Sequence, residues 1–209
     1  MTDKAFDTFL NENGLVYPKT AGRGIKVDQS SPSWCWQDLL GTISAKGGGA
    51  TAPAIATWKG NIRQFQFAVN DEQDLTYHIP HDWVSGHDCY IHVHWSIDTT
   101  EVETCVFGIE ATYAIGHNQA AATTNITTSV SDASPGVANQ IVVSEVQLSA
   151  ATATGALLDS DLIEPDGSII TNLHLTSKTG TASPFIHHVD IHYLSTSIGT
   201  VSKVPNFYV

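Results

Sequence analysis

Apolar and polar residues alternate with a period of two along much of the chain after Gly60. The clearest example is CYIHVHWSI, from Cys89 to Ile97, in which every second residue from Cys89 is apolar and His92 and His94 lie between them. Successive side chains of a β-strand point to opposite faces. The segment is therefore predicted to be a strand with one buried, apolar face and one face that carries the histidines.

Five further segments show similar alternation and are predicted to be strands. They are IRQFQFAV (62–69), CVFGIEATY (105–113), IVVSEVQL (141–148), SIITNLHLT (168–176) and FIHHVDIHYLS (185–195). The long segment around Ala120 is predicted to hold another short edge strand or to make contacts outside the domain, and no segment after Gly60 has a helical period. Together these strands predict an all-β fold, an antiparallel β-sandwich of jelly-roll type.

The first part of the chain is irregular and broken by Gly, Pro and Ser. Within it, SWCWQDLLG contains Trp34, Trp36, Leu39 and Leu40, and leaving these side chains in water would be unfavourable. We therefore predict an extended N-terminal arm, 1–57, whose apolar residues dock on its own core or on a neighbouring subunit. The β-sandwich domain is predicted to cover 58–209.

The composition and charge of the chain argue against several classes of function. The formal net charge is −12, and the nine Lys and Arg residues are scattered, which argues against nucleic-acid binding. No apolar run approaches the length of about 18 residues that a membrane span needs, and the beginning of the chain lacks the pattern of a secretory signal. The three cysteines have no CxxC spacing, which is typical of a protein made in a reducing cytoplasm.

The histidines raise the question of a metal site. His92 and His94 are two residues apart, and His188, Asp190 and His192 repeat that spacing on the last strand. If these strands are neighbours, and the strand of His174 lies beside them, the side chains share one surface that could bind Zn²⁺, Fe²⁺ or Ni²⁺. A cupin-type metalloenzyme would be the functional extension.

A structural role explains the same histidines without a metal. Imidazoles suit half-buried strand positions, where they bond to backbone or side-chain oxygens. Cupin-like sites also need a further ligand, commonly a Glu, inside a Gly-rich segment. After His94 the first acidic residues are Asp98 and Glu101, with no glycine near them. We therefore expect no enzyme activity and no obligatory cofactor, and keep the metal as an alternative.

Other candidate sites are weaker. Cys89, His87 and Asp88 could form a nucleophile with its base, but Cys89 starts the inward face of a strand, where a thiol usually packs in the core. The segment DSDLIEPDG is acidic without the regular spacing of a calcium loop, which favours a solvated turn. Its carboxylates are Asp159, Asp161, Glu164 and Asp166.

HIPHDWVSGHD is predicted to be a strand end followed by a rigid turn. Pro80 sets the chain direction, His81 and Asp82 are expected to bond loop amides, and Gly86 permits a positive φ.

The run from Trp58 to Trp95 resembles a segment of tailed-bacteriophage virion structural proteins, in which H-[IL]-P-H-D-[YW]-V-x-G-x-D-x-[YF]-x-H-x-H-W follows an extended arm. Here it reads HIPHDWVSGHDCYIHVHW, and PSWCWQDLLG resembles that family's arm motif. The resemblance implies a virion component that decorates or cements the capsid, or that belongs to the neck or tail. Its partners would be major capsid or neck and tail proteins.

Two further expectations accompany this interpretation. A trimer is the preferred assembly, because one histidine pair from each of three chains could surround a single octahedral ion.

The alternative function is carbohydrate or receptor binding, in which Trp83, Trp95 or Tyr90 would stack on sugars. Because Trp95 is predicted to point inward, Trp83 is the favoured platform.

Overall fold

The structure is a computed structural model that describes residues 17–18, 25–26, 34–152 and 155–197. The rest of the predicted arm, including most of the chain before Trp34, lies outside the described residues. The strands are β1 (Tyr17–Pro18), β2 (Ile25–Lys26), β3 (Cys35–Leu40), β4 (Thr42–Lys46), β5 (Ala54–Lys59), β6 (Ile62–Gln66), β7 (Glu72–His78), β8 (Tyr90–Ser96), β9 (Thr104–Ala114), β10 (Ile126–Ala133), β11 (Val142–Gln147), β12 (Ser149–Ala150), β13 (Leu158–Asp159), β14 (Ser168–Lys178) and β15 (Phe185–Ser195).

Two antiparallel sheets form the body of the domain. Sheet I has the order β10-β9-β14-β7-β4, and sheet II has the order β11-β8-β15-β6-β5. Strand β15 is long enough to pair on one edge with β6 through its first residues and with β3 through its last ones. Short pairs β1-β2 and β12-β13 lie outside these sheets.

The strand order is that of a jelly roll. If the eight main strands β6, β7, β8, β9, β10, β11, β14 and β15 are counted one to eight, sheet II reads 6-3-8-1 and sheet I reads 5-4-7-2. This is the arrangement of two sheets built from paired Greek keys. The predicted fold class is confirmed.

The core lies between the sheets and contains the residues that alternation placed inward. All the predicted inward residues of β8 and β9 are buried, and the Trp95 ring meets the Phe107 ring edge-on across the sandwich, at 5.6 Å between centroids. Trp95 Nε1 donates to Ser144 Oγ at 2.8 Å, so the polar atom of the buried indole is satisfied. Each such side chain contributes roughly 1.5–3 kcal/mol of burial free energy.

Strand β7 was predicted only at its end, at His78, although its burial alternates regularly along its length. Leu75 and Tyr77 point inward, but the first inward residue is Gln73, which is 2% exposed. A polar residue at a core position interrupts the alternation of apolar and polar residues, so the sequence pattern of this segment indicates a turn. Strand β10 occupies the edge of sheet I, in the segment where an edge strand was predicted.

From Cys35 onward, the strands of the predicted arm are hydrogen-bonded to the sandwich. Strand β3 pairs with β15 in sheet II, and β4 pairs with β7 in sheet I, so the chain crosses from one sheet to the other at Gly41. The Gly41 amide donates to the Val189 carbonyl at 2.9 Å. Strand β5 then returns to sheet II beside β6.

The turn before β8 differs in part from the prediction. Gly86 has the expected positive φ, 77°. Asp82, however, accepts hydrogen bonds from the hydroxyls of Ser195 and Tyr193, not from loop amides. The prediction for the Asp82 side chain was wrong because its partners lie on β15, which is far from Asp82 in the sequence.

Helical structure in the described ranges consists of single 3₁₀ turns at Gly49–Thr51 and Ser160–Leu162. Within these ranges, none of the helical segments could cross a membrane.

Candidate functional site

The outer face of sheet II carries the predicted histidines. Strands β8 and β15 are neighbours, and their register places His92 opposite Asp190 and His94 opposite His188. We call the following set the histidine face: His92, His94, His188, Asp190 and His192. The structure therefore brings together the side chains that the two alternating segments offered as metal ligands.

His174 does not belong to this surface. It lies on β14, in the opposite sheet, where its ring approaches Asn172 at 3.2 Å. The expectation that all three strands share one sheet was wrong. Parity along a strand predicts which residues share its face, but not which sheet the strand joins.

Asp190 lies at the centre of the histidine face and is only 2% exposed. Its Oδ1 is 2.8 Å from His94 Nε2 and 3.9 Å from His188 Nε2, and its Oδ2 is 3.4 Å from His92 Nδ1. None of these contacts has the geometry of a hydrogen bond, and neither carboxylate oxygen accepts one from any described residue. A buried carboxylate without such partners is costly.

Glu145 orients the His92 ring. It lies opposite His92 on β11, and its Oε2 is 2.7 Å from His92 Nε2. A carboxylate can only accept, so the shared proton is on Nε2. In the neutral ring Nδ1 then carries the lone pair, and it lies 3.4 Å from Asp190 Oδ2.

His188 stacks on His94, with ring centroids 3.8 Å apart and an angle of 26° between the planes. Burial, and then the neighbouring His94, lower the pKa of His188. Burial also lowers the pKa of the adjacent His187, which meets Ser96 Oγ at 2.9 Å. Lower pKa values keep these rings neutral near pH 7, and neutral imidazole is the form that binds metals.

An aromatic group adjoins the histidine face. We call Trp36, Tyr90 and His192 the aromatic platform. The Trp36 ring centroid lies 5.9 Å from that of Tyr90 and 5.0 Å from that of His192, and Trp36 is 47% exposed. Asp38 lies beside it, with Oδ1 3.7 Å from His192 Nε2. The platform combines an exposed apolar ring with hydrogen-bonding groups at its edge.

The predicted partner-contacting residues of the arm divide into two groups. Leu39 is partly buried and packs on the domain's own core. Trp34, Trp36 and Leu40 remain exposed, at 37%, 47% and 62%, and Trp34 contacts the His87 ring edge-on at 4.3 Å.

The prediction that Trp83 is a sugar-binding platform is wrong. Trp83 is 1% exposed and stacks on Tyr193, with centroids 4.8 Å apart and planes 7° from parallel. Trp95 is fully buried, as its inward parity predicted, and Tyr90 lies on the outer face. Trp83 lies in a turn, and the residues of the turn do not indicate that its indole is buried in the core.

Cys89 is a core residue, as predicted. Burial raises the pKa of its thiol to about 12, so the nucleophilic thiolate is absent near neutral pH. Its neighbours also face other partners, since His87 contacts Trp34 and Asp88 accepts from Gln147 Nε2 at 2.9 Å.

The acidic segment 159–166 contains a cluster that the sequence did not indicate. Asp166 Oδ2 accepts from His117 Nε2 at 2.9 Å, while Oδ1 lies 3.1 Å from His81 Nε2 and 3.6 Å from His78 Nε2. We call these four residues the Asp166 cluster. Asp159 instead accepts from the Asp161 amide, so the four predicted carboxylates do not converge on one point.

The outer face of sheet I holds a shallow cavity of about 300 Å³. Its polar lining includes Glu72, Asp74, Glu110 and Asn172, and Asn172 Nδ2 donates to Asp74 Oδ1 at 2.8 Å. Ala111 and Ile170 add apolar surface, but no aromatic side chain lines the cavity, so it offers no ring on which a ligand could stack.

No protein-family model matches the chain, and no curated protein is similar to it in sequence. Solved structures that are similar in shape include a xylan-binding module, CBM15, at 12% identity and a TM-score of 0.34, over 80% of this chain and 94% of that module. Another is CBM28, a carbohydrate-binding module specific for non-crystalline cellulose, at 15% identity and a TM-score of 0.36, over 77% and 85%. Likenesses of this size do not bear on what the present chain binds.

Proposed function

We propose that the chain is a non-enzymatic binding protein of a tailed-phage virion, and that it binds carbohydrate through the aromatic platform of sheet II. The observation that carries the proposal is the exposed Trp36 ring, held beside Tyr90 and His192 and next to carboxylates. The virion context comes from the resemblance of the Trp58–Trp95 segment.

The chemistry of the platform suits a pyranose ring. The C–H face of a sugar is apolar and packs on an indole, while its hydroxyls need acceptors and donors at the rim. Asp38 and Glu145 have side chains that are 66% and 55% exposed, and they flank the platform and the histidine face. No metal or cofactor takes part in this mode of binding.

The test compares two substitutions on the outer face of β3. Trp36→Ala removes the stacking surface and is expected to weaken glycan binding about tenfold or more, equivalent to at least roughly 1.4 kcal/mol. Leu40→Ala, on the same face, is the matched control and should leave glycan binding unchanged. Glycan arrays followed by calorimetry on the best ligand measure both. If the unaltered protein binds no glycan at millimolar concentration, the proposal fails.

The second candidate is capsid decoration, cementing, or attachment to neck and tail proteins, in which the chain forms a homo-oligomer, with a trimer preferred. A specific observation favours it: exposed apolar side chains recur between residues 40 and 62. They are Leu40, Ile43, Ile55 and Ile62, at 48–62% exposed. Such residues are costly to leave in water and are typical of a surface that another protein covers.

This candidate predicts that loss of exposed apolar side chains weakens attachment to particles. Leu40→Ala, combined with Ile43→Ala, should lower occupancy on particles while the isolated domain stays folded. Light scattering after size-exclusion chromatography should show a trimer that the double variant weakens. A monomeric chain whose particle occupancy is unchanged by the double variant would exclude it.

A further inference from the structure

We propose that His92, His94 and Asp190 bind a divalent transition-metal ion of the zinc class. This site is separate from the carbohydrate proposal and holds whether or not the aromatic platform binds a glycan. It is built from two strands that are hydrogen-bonded neighbours, β8 and β15.

The first support is the state of Asp190. Its two oxygens are buried, accept no hydrogen bond from the described residues, and yet face two imidazole nitrogens at 2.8 and 3.4 Å. The carboxylate is thus left without a hydrogen bond although two imidazoles lie beside it. A cation held by these groups would satisfy the buried carboxylate.

The second support is the tautomer of His92. Because Glu145 accepts a hydrogen bond from the protonated Nε2, the lone pair needed by a metal ion is on Nδ1. A carboxylate that holds the outer nitrogen of a ligating histidine is the usual partner in protein metal sites, where it fixes the ring and raises its basicity. Glu145 is therefore a positioning residue for the ion, not a ligand.

The third support is spacing. One ligand atom from each of His92, His94 and Asp190 lies within 4.8 Å of the others. Four ligands at about 2.0–2.1 Å from a tetrahedral zinc ion lie roughly 3.3–3.4 Å from one another. Asp190 Oδ1 lies 2.8 Å from His94 Nε2, and Asp190 Oδ2 lies 3.4 Å from His92 Nδ1, which is the range of separation that such a site requires.

The donor set selects the class of ion. Two imidazoles and one carboxylate suit Zn²⁺ and its first-row neighbours, whereas Ca²⁺ and Mg²⁺ prefer oxygen ligands throughout. Three protein ligands leave the fourth position of a tetrahedral ion to a water molecule. The ion would join β8 to β15 in the middle of sheet II.

The experiment uses the untagged, chelator-treated full chain, titrated with Zn²⁺ by calorimetry and with Co²⁺ by visible absorption. The expected result is one Zn²⁺ per chain, intense tetrahedral Co²⁺ bands and a higher melting temperature with zinc. Asp190→Asn and His94→Gln should each abolish these changes. Glu145→Gln should lower zinc affinity by about 10–100-fold, as for other histidine-orienting partners.

Two control variants test the location. His174→Gln, in sheet I, should bind zinc as the unaltered chain does. Asp38→Asn separates this site from the neighbouring group of Asp38, His92 and His192, whose ligand atoms also lie within 4.8 Å of one another, and it should have no effect. Absence of Zn²⁺ binding by the unaltered chain overturns the proposal. So does undiminished binding by folded Asp190→Asn and His94→Gln, or loss confined to Asp38→Asn.

Discussion

Asp166 shows how one residue can tie several segments together. It has a positive φ of 62° and meets His78 at the end of β7, His81 in the following turn and His117 after β9. The hydrogen bond from His117 lowers the pKa of the Asp166 carboxyl, and the nearby rings of His81 and His78 add to this effect. The charged form is therefore favoured in the folded state.

Asp166→Asn is therefore expected to destabilise the protein near neutral pH by about 0.5–1 kcal/mol, the size expected of a solvent-accessible cluster. Asparagine tolerates the positive φ, so the change isolates the charge. A carboxyl with a lowered folded pKa contributes stability above its unfolded value, near 3.8, and loses it as the pH falls through the folded pKa. The difference between the two proteins should therefore vanish in acid.

Urea unfolding at pH 7 and in acid measures this effect. Asp161→Asn is the matched control, since Asp161 lies in the same exposed segment and reports the general effect of removing one negative charge from a chain of charge −12. Equal destabilisation by both substitutions, or a difference that persists unchanged in acid, would contradict the role of the cluster.

At the scale of elements, the crossing from β3 to β4 depends on Gly41. A Cβ built on Gly41 would lie 2.8 Å from ring atoms of Tyr77 and 2.9 Å from Leu75, and both side chains are buried in the core. The absence of a side chain lets the chain pass close over the sandwich and join both sheets. The crossing explains why β3 and β4, although adjacent in the chain, pair with different sheets.

Gly41→Ala is accordingly expected to destabilise the fold by about 1–3 kcal/mol, the usual cost of overpacking a core. Hydrogen exchange should increase first in 35–46, because the collision displaces β3 and β4 from their partners. Gly48→Ala is the control, since a Cβ there meets nothing within 4 Å. Protection of 35–46 that Gly41→Ala leaves unchanged would show that the crossing adapts without cost.

At the scale of the whole molecule, the jelly roll follows from strands that change sheet repeatedly along the chain. The main strands β6 to β9 alternate between sheets II and I, and β9 and β10 then pair within sheet I. The faces of β8, β9 and β15 were predictable because each is apolar on one side. The inward face of β7 was not predictable, because the polar residue Gln73 occupies a core position.

The candidate site was predictable only in part. Spacing two residues apart indicated that His92 and His94 share a face, and that His188, Asp190 and His192 share another. The burial of Asp190 to 2% and the orientation of His92 by Glu145 had no local signal, because Glu145 is 53 residues away in the chain. Trp83 was misplaced for the same reason, since its stacking partner Tyr193 lies on the last strand.

Alternation along the chain was enough to predict the all-β class, the inward and outward residues of β8, β9 and β15, and the residue types of the histidine face. These properties are local, because strand geometry alternates side chains with a period of two whatever the strand's neighbours are. Only the tertiary structure decided that β8 lies beside β15 and that His174 belongs to the other sheet. Strand pairing is set by contacts between distant segments, and these depend on how the whole core packs.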